Sequence, residues 1–156
     1  MVNKLRIGAM TRARGKWACG LLALLLTGGM AQAQDLSLKD ARLSLLPGDM
    51  PGAGYFSLHN DSPENVTLVG AQSDAFKNTE IHMSMEKDGM ASMHAVPEID
   101  IAAGERFEFA PKGYHLMFMH RVAPLEVGDD IEVVLRFADG QQLPAIFEVV
   151  SPAAMH

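Results

Sequence analysis

The stretch that decides the fold is Glu80-Ile-His-Met-Ser-Met-Glu-Lys-Asp-Gly-Met-Ala-Ser-Met-His-Ala-Val96. Two runs of alternating character, 80–85 and 90–96, flank Asp88-Gly89. Alternation with a period of two sends successive side chains to opposite faces, as in a strand with one face on a core. An Asp-Gly pair accepts the positive φ angles that a tight two-residue hairpin turn requires. The stretch therefore predicts an antiparallel hairpin, with His82 on one face of its first strand and Ile81, Met83 and Met85 in an inward row on the other. In the second strand, Met93 aligns with Ala91 and Ala95, opposite His94.

The same signature recurs on either side. Strand-like runs fall at 36–46, 53–59, 65–72, 106–110, 115–121, 130–138 and 144–150, broken by Pro47-Gly48-Asp49, Asn60-Asp61-Ser62-Pro63, Pro111-Lys112-Gly113, Val127-Gly128-Asp129 and Asp139-Gly140. Seven to nine short strands at this spacing describe an all-β sandwich or small barrel, without the crossover helices of a parallel sheet. Residues 70–79 are the longest helix-compatible piece, brief enough for a turn. Residues 151–156 read as a short flexible tail.

The front of the chain has a different character. The 156 residues carry 13 Lys+Arg and 19 Asp+Glu, but residues 1–33 hold Lys4, Arg6, Arg12, Arg14 and Lys16 with no acid. An apolar run, Trp17 to Leu26, follows this basic leader and ends in Ala31-Gln32-Ala33, the three parts of a cleavable secretory signal. Cleavage after Ala33 is expected, with Ala31 the alternative. The run is too short to span a bilayer comfortably, so no stable membrane insertion is expected. Cys19 precedes the Leu-rich run, which argues against a lipid-anchored mature terminus. From residue 34 onward there are eight basic and 19 acidic side chains, a net charge of −11. A body this acidic disfavours nucleic acid and anionic lipid as partners. It also has no cysteine, hence no disulfide, thiol nucleophile or thiolate ligand.

Methionine and histidine are concentrated. Met83, Met85, Met90, Met93, Met117 and Met119 share one window with His82, His94, His115 and His120. In 115–120, His115, Met117 and Met119 lie on one strand face, with Leu116, Phe118 and His120 on the other. His115 and Met117 thus form a two-ligand clip, and the hairpin can bring His82 and Met93 to it. Neutral imidazole and thioether donors suit Cu(I), the soft biological ion. Zinc has little use for methionine, and calcium and magnesium want oxygen. Two readings stand at this point, a soft-metal site and adaptable core filler. No nucleophile or acid–base arrangement of a known kind is present, and no enzyme activity is expected.

The spacing His82, ten residues, Met93, twenty-one residues, His115-x-Met117 resembles that of the periplasmic Cu(I) chaperones called PCuAC. Further agreement lies in His82-Met83, Gly54-Tyr-Phe56 with Asn60, Pro111-Lys-Gly-Tyr-His-Leu-Met117, Pro124-Leu-x-x-Gly-Asp129 and Phe137-x-x-Gly140. Lys112 stands where the family has glycine. The resemblance covers about residues 36–150. It implies a cupredoxin-like Greek-key domain over 34–150, periplasmic after signal cleavage, holding one Cu(I) through His82, Met93, His115 and Met117. It further implies a protein that carries copper toward the CuA centre of cytochrome c oxidase, meeting subunit II or a periplasmic thiol-bearing copper assembly protein. A monomer is expected. Alternatives are a copper-buffering or resistance protein and a metal-free β-sandwich interaction module. Of the neighbours, Met83, Met85, Met90 and Met119 are expected to rim the site. His59 is expected to serve its turn and His120 to sit semi-buried, and Tyr114 either covers an edge of the patch or packs. Apparent Cu(I) affinity should weaken as pH falls toward and below about 6.5, where protons compete for imidazole.

Overall fold

The computed structural model describes residues 35–155. The secretory signal expected over residues 1–33 lies outside them. Ten strands account for most of the described chain: β1 Leu36–Ser44, β2 Gly52–Asn60, β3 Val66–Gln72, β4 Phe76–Lys87, β5 Met90–Ala95, β6 Ile99–Ile101, β7 Arg106–Phe109, β8 Tyr114–Arg121, β9 Asp130–Phe137 and β10 Gln142–Val150. The all-β expectation is met. The strand beyond the expected nine is β6, whose three residues Ile99-Asp100-Ile101 are too few to show alternation. Residues 70–79 are the end of β3, a turn and the start of β4, and the tail contains one 3-10 turn, Pro152–Met155.

The hydrogen-bonded order is β5-β4-β8-β2-β1-β10-β9-β3-β6, with β7 also paired to β2. The β1–β10 pair is parallel and the others are antiparallel. β3 and β4 stand near opposite ends of this order, yet residues 73–75 are all that joins them. A link that short spans no more than about 14 Å even when extended. The sheet must therefore curl until its ends approach, giving a cupredoxin-like sandwich whose ladder does not close.

Alternation places the core. In β9, Ile131, Val133, Leu135 and Phe137 are buried while Asp130, Glu132 and Arg136 face solvent. Phe118 of β8 meets Phe147 of β10 at 6.2 Å between ring centroids, and Phe147 meets Phe56 of β2 at 5.6 Å. Each such side chain stabilises the fold by roughly 1.5–3 kcal/mol. Gly54 lets the backbone pass beneath them, because a Cβ there would stand 2.6 Å from the Phe118 ring and 3.2 Å from that of Phe147.

The β4–β5 hairpin turns through Asp88 and Gly89, with φ of +54° and +76°. Two positive φ angles match the right-handed twist of the flanking strands. The turn pairs Lys87 with Met90 and so sets every register above it, including Ser84 with Met93 and His82 with Ala95. β5 lies at the sheet edge with no buried residue.

Candidate metal centre

Three adjacent strands build the site. On the β4–β8 ladder His82 stands directly across from His115, and Glu80 across from Met117. On the other side of β4, Ser84 stands across from Met93. Cross-strand partners share a face, as do residues two apart. His82, His115, Met117 and Met93 therefore all lie on one face, the reverse of the one carrying buried Ile81, Leu116 and Phe118. His82 is central. His115 is its direct neighbour, while Met117 and Met93 are its diagonal neighbours on opposite sides.

The two imidazoles stand close enough to share a metal ion. Their ring centroids are 5.9 Å apart with planes at 48°. A metal about 2.0 Å from one nitrogen of each ring would hold the centroids roughly 5–6 Å apart. His82 Nε2 lies 3.0 Å from Glu80 Oε2. An ionised carboxylate only accepts, so Nε2 carries the hydrogen and the lone pair of the neutral ring is on Nδ1. That atom is buried and has no partner. In His115, Nδ1 donates to the Gly113 carbonyl at 3.3 Å, leaving the lone pair on Nε2. Bonds of this kind fix the tautomer and aim of metal-binding imidazoles. Gly113 O also accepts from Ser84 N at 3.0 Å, which ties the loop before β8 to β4.

His115 is only 3% exposed. Burial pushes its pKa below the usual value; the Gly113 carbonyl opposes this, and nearby His82 adds a smaller push downward. The unfolded chain protonates this side chain near pH 6.5 and the folded chain resists. The stability present above pH 6.5 is therefore lost as pH falls from there through the folded-state pKa. Urea unfolding of the metal-free protein should show a midpoint that declines over this window, with a shallower decline in His115→Gln. Equal slopes for the two proteins would contradict it.

The loop preceding His115 carries a cost. Lys112 has φ of +66°, a left-handed conformation that only glycine adopts without penalty. This is the position where the family pattern has glycine. Relief of roughly 1–2 kcal/mol, less the added freedom of glycine in the unfolded chain, should make Lys112→Gly more stable by about 0.5–1 kcal/mol. A rise in the urea midpoint would show it; a fall would mean that the Lys112 side chain contributes a compensating contact.

Several neighbours differ from expectation. Met83 and Met85 lie on the reverse face with His94, and Met85 is well exposed, so the inward row led by Ile81 runs off the core toward the hairpin tip. Met90, on that same reverse face, does not rim the site, whereas Met119 shares the His115–Met117 face. His120 is exposed, not semi-buried, because its φ of +56° breaks the alternation at the end of β8. Tyr114 packs edge-on against Phe107 at 5.1 Å, on the core side. His59 serves its turn as expected, its Nδ1 3.0 Å from Asp61 Oδ1. Two residues of the site escaped sequence reading. One is Glu80, the partner of His82. The other is Tyr55, whose ring is 6.3 Å from that of His115 and whose burial raises its pKa. Glu80 sits two residues before His82, a same-face position that could have marked it.

Comparison with known proteins agrees with this architecture. The model of the LpqE-like family, described as lipoproteins, matches residues 36–149. A protein of Leifsonia xyli subsp. xyli, also named as a lipoprotein, is 36% identical over 98 residues, which cover 62% of this chain and 59% of that relative's length. The solution structure of Cu(I)-DR1885 from Deinococcus radiodurans superposes with a TM-score of 0.61 at 29% identity, covering 78% of this chain and 84% of that one. The copper-bound PCuAC domain from PmoF2 does so with a TM-score of 0.63 at 19% identity, covering 76% and 94%; it speaks to the fold alone.

Proposed function

The chain belongs to the LpqE-like family, and from that premise we propose that it is an exported Cu(I)-binding chaperone. It holds one ion through His82, Met93, His115 and Met117. The observation that carries this reading is the orphaned, buried Nδ1 of His82 on the same face as three further soft or borderline donors. A buried polar atom without a partner is costly unless something fills the place. A metal accepting its lone pair would do so. The Cu(I) bound in the DR1885 structure supports the choice of ion. X-ray absorption of the Cu(I)-loaded protein should report two nitrogen and two sulfur donors. A sulfur-free shell would overturn the assignment.

The geometry suggests how copper leaves. His115 is buried and anchors the ion, whereas Met93 is 49% exposed on the edge strand β5. A partner's donor enters on the Met93 side and replaces that thioether before the imidazoles let go. Thiolates bind Cu(I) more strongly than thioethers, which gives transfer a direction toward a cysteine-bearing site without an energy source. The recipient proposed is the CuA centre of oxidase subunit II, met directly or through a thiol-bearing assembly protein in the periplasm. Mixing the Cu(I)-loaded chain with the metal-free soluble domain of that subunit should move copper onto it. Retention of all copper by the chain would favour a buffering role instead.

A further inference from the structure

The primary donors form a simple figure: two on one strand at i and i+2, His115 and Met117, with a third, His82, directly across from the first. The same figure occurs again on the opposite face of the β4–β5 hairpin. Met83 and Met85 stand two apart on β4, and His94 is directly across from Met83. Side chains so paired start about 5 Å apart at Cβ, within reach of a shared ion for flexible thioethers. Packing accounts for only one member of this group: Met83 is partly buried, across from Tyr114 on β8. Met85 is 43% exposed, and β5 buries no side chain, so Met85 and His94 gain little from the core. The His94 ring is loosely held, with Nε2 3.4 Å from Ser92 Oγ. No carboxylate shares this face of the hairpin, where Lys87, Met90 and Ser92 complete the two rows.

We propose that His94, Met83 and Met85 form a second site for a soft monovalent cation of the Cu(I) class, back to back with the first across the hairpin. One imidazole and two thioethers make a three-coordinate neutral set that favours a soft ion over zinc, calcium or magnesium. Because Met93 and His94 are consecutive, the two sites share the edge strand while facing opposite ways. The inference stands on this register and not on the proposed delivery of copper.

Ag(I), a redox-inert soft ion, is a suitable probe, followed by the methionine methyl and histidine ring resonances in NMR. Two equivalents should bind. The second should shift Met83, Met85 and His94, and the double variant Met85→Ala/His94→Ala should lose that equivalent while keeping the first within about twofold. Both changes are at exposed positions, so the fold is expected to persist. In Met93→Ala/Met117→Ala, the first site should weaken while the His94 resonances still respond. Uptake of one equivalent alone, or a second that leaves His94 unmoved, would overturn the site. So would loss of the His94 response in Met93→Ala/Met117→Ala, because the two groups would then be one site. Failure of the first site with survival of the second would count against the chaperone reading alone.

Discussion

Replacing Met117 with alanine is expected to weaken Cu(I) binding by about a hundredfold or more while leaving the fold in place. Partners that merely orient a metal ligand are worth about 10–100-fold in affinity when removed, and a direct donor should exceed that range. Met117 faces away from Leu116 and Phe118, so its truncation spares the core. Met93→Ala should follow the same course with even less structural cost, since Met93 is exposed. Glu80→Gln is the contrasting case. Its carboxylate holds His82 Nε2–H at 3.0 Å, and an amide can present its nitrogen there instead, so roughly a tenfold loss is expected. Competition against a Cu(I) chelator, with circular dichroism as the fold control, measures all three. An intact fold with unchanged affinity in Met117→Ala would remove Met117 from the ligand set.

The candidate site was legible because its four residues are carried by strands with uninterrupted alternation. His82, Met93, His115 and Met117 each sit where a period of two predicts the face, and Asp88-Gly89 fixes the hairpin register that brings Met93 alongside. What alternation does not convey is where the core ends. Ile81, Met83 and Met85 have the same parity, but the sandwich covers the first, only partly covers the second and leaves the third exposed. That is set by which strand lies across the sheet, a non-local fact. Local backbone choices escaped for a related reason. His120 leaves the expected face through a left-handed φ, and the sequence around it gives no glycine to announce the change. β6 is fixed by pairing with β3 and not by its own three residues. Tyr55 reaches His115 because β2 pairs with β8 through Ala53 and Met117, a neighbour relation that no spacing in the chain reports.

Asn60→Ala should be the most destabilising polar substitution in the domain, at about 3 kcal/mol and a melting temperature lower by roughly 10 °C. Asn60 ends β2 and has no exposure. Its two Nδ2 hydrogens are shared among the carbonyls of Glu64, Ile101 and Ala102, at 2.8, 3.3 and 3.1 Å from the nitrogen. Its Oδ1 accepts from Ser62 N and Oγ at 3.1 and 2.7 Å. The backbone adds Asn60 N to Glu105 O and Gly104 N to Asn60 O. One amide thus clamps the β2–β3 loop to the β6–β7 turn, and alanine would leave its partners facing a dry gap. Asn60→Asp tests whether the amide hydrogens matter or simply the shape. At neutral pH the carboxylate would meet three carbonyl oxygens with no hydrogen to offer, so Asp should be worse than Ala despite being isosteric. Repulsion from the carbonyls and burial both raise that carboxyl's pKa. Stability lost at neutral pH should therefore be partly recovered as the solution is acidified through that pKa, since a protonated carboxyl regains one donor. Thermal unfolding of both variants across mildly acidic to neutral pH would show Asp crossing toward Ala on acidification. Parallel curves would mean that the fold needs the volume of Asn60 and not its hydrogen bonds. Copper affinity of the folded fraction should be nearly unchanged in either variant, because the clamp lies at the far end of β2 from Ala53, the residue that pairs with Met117.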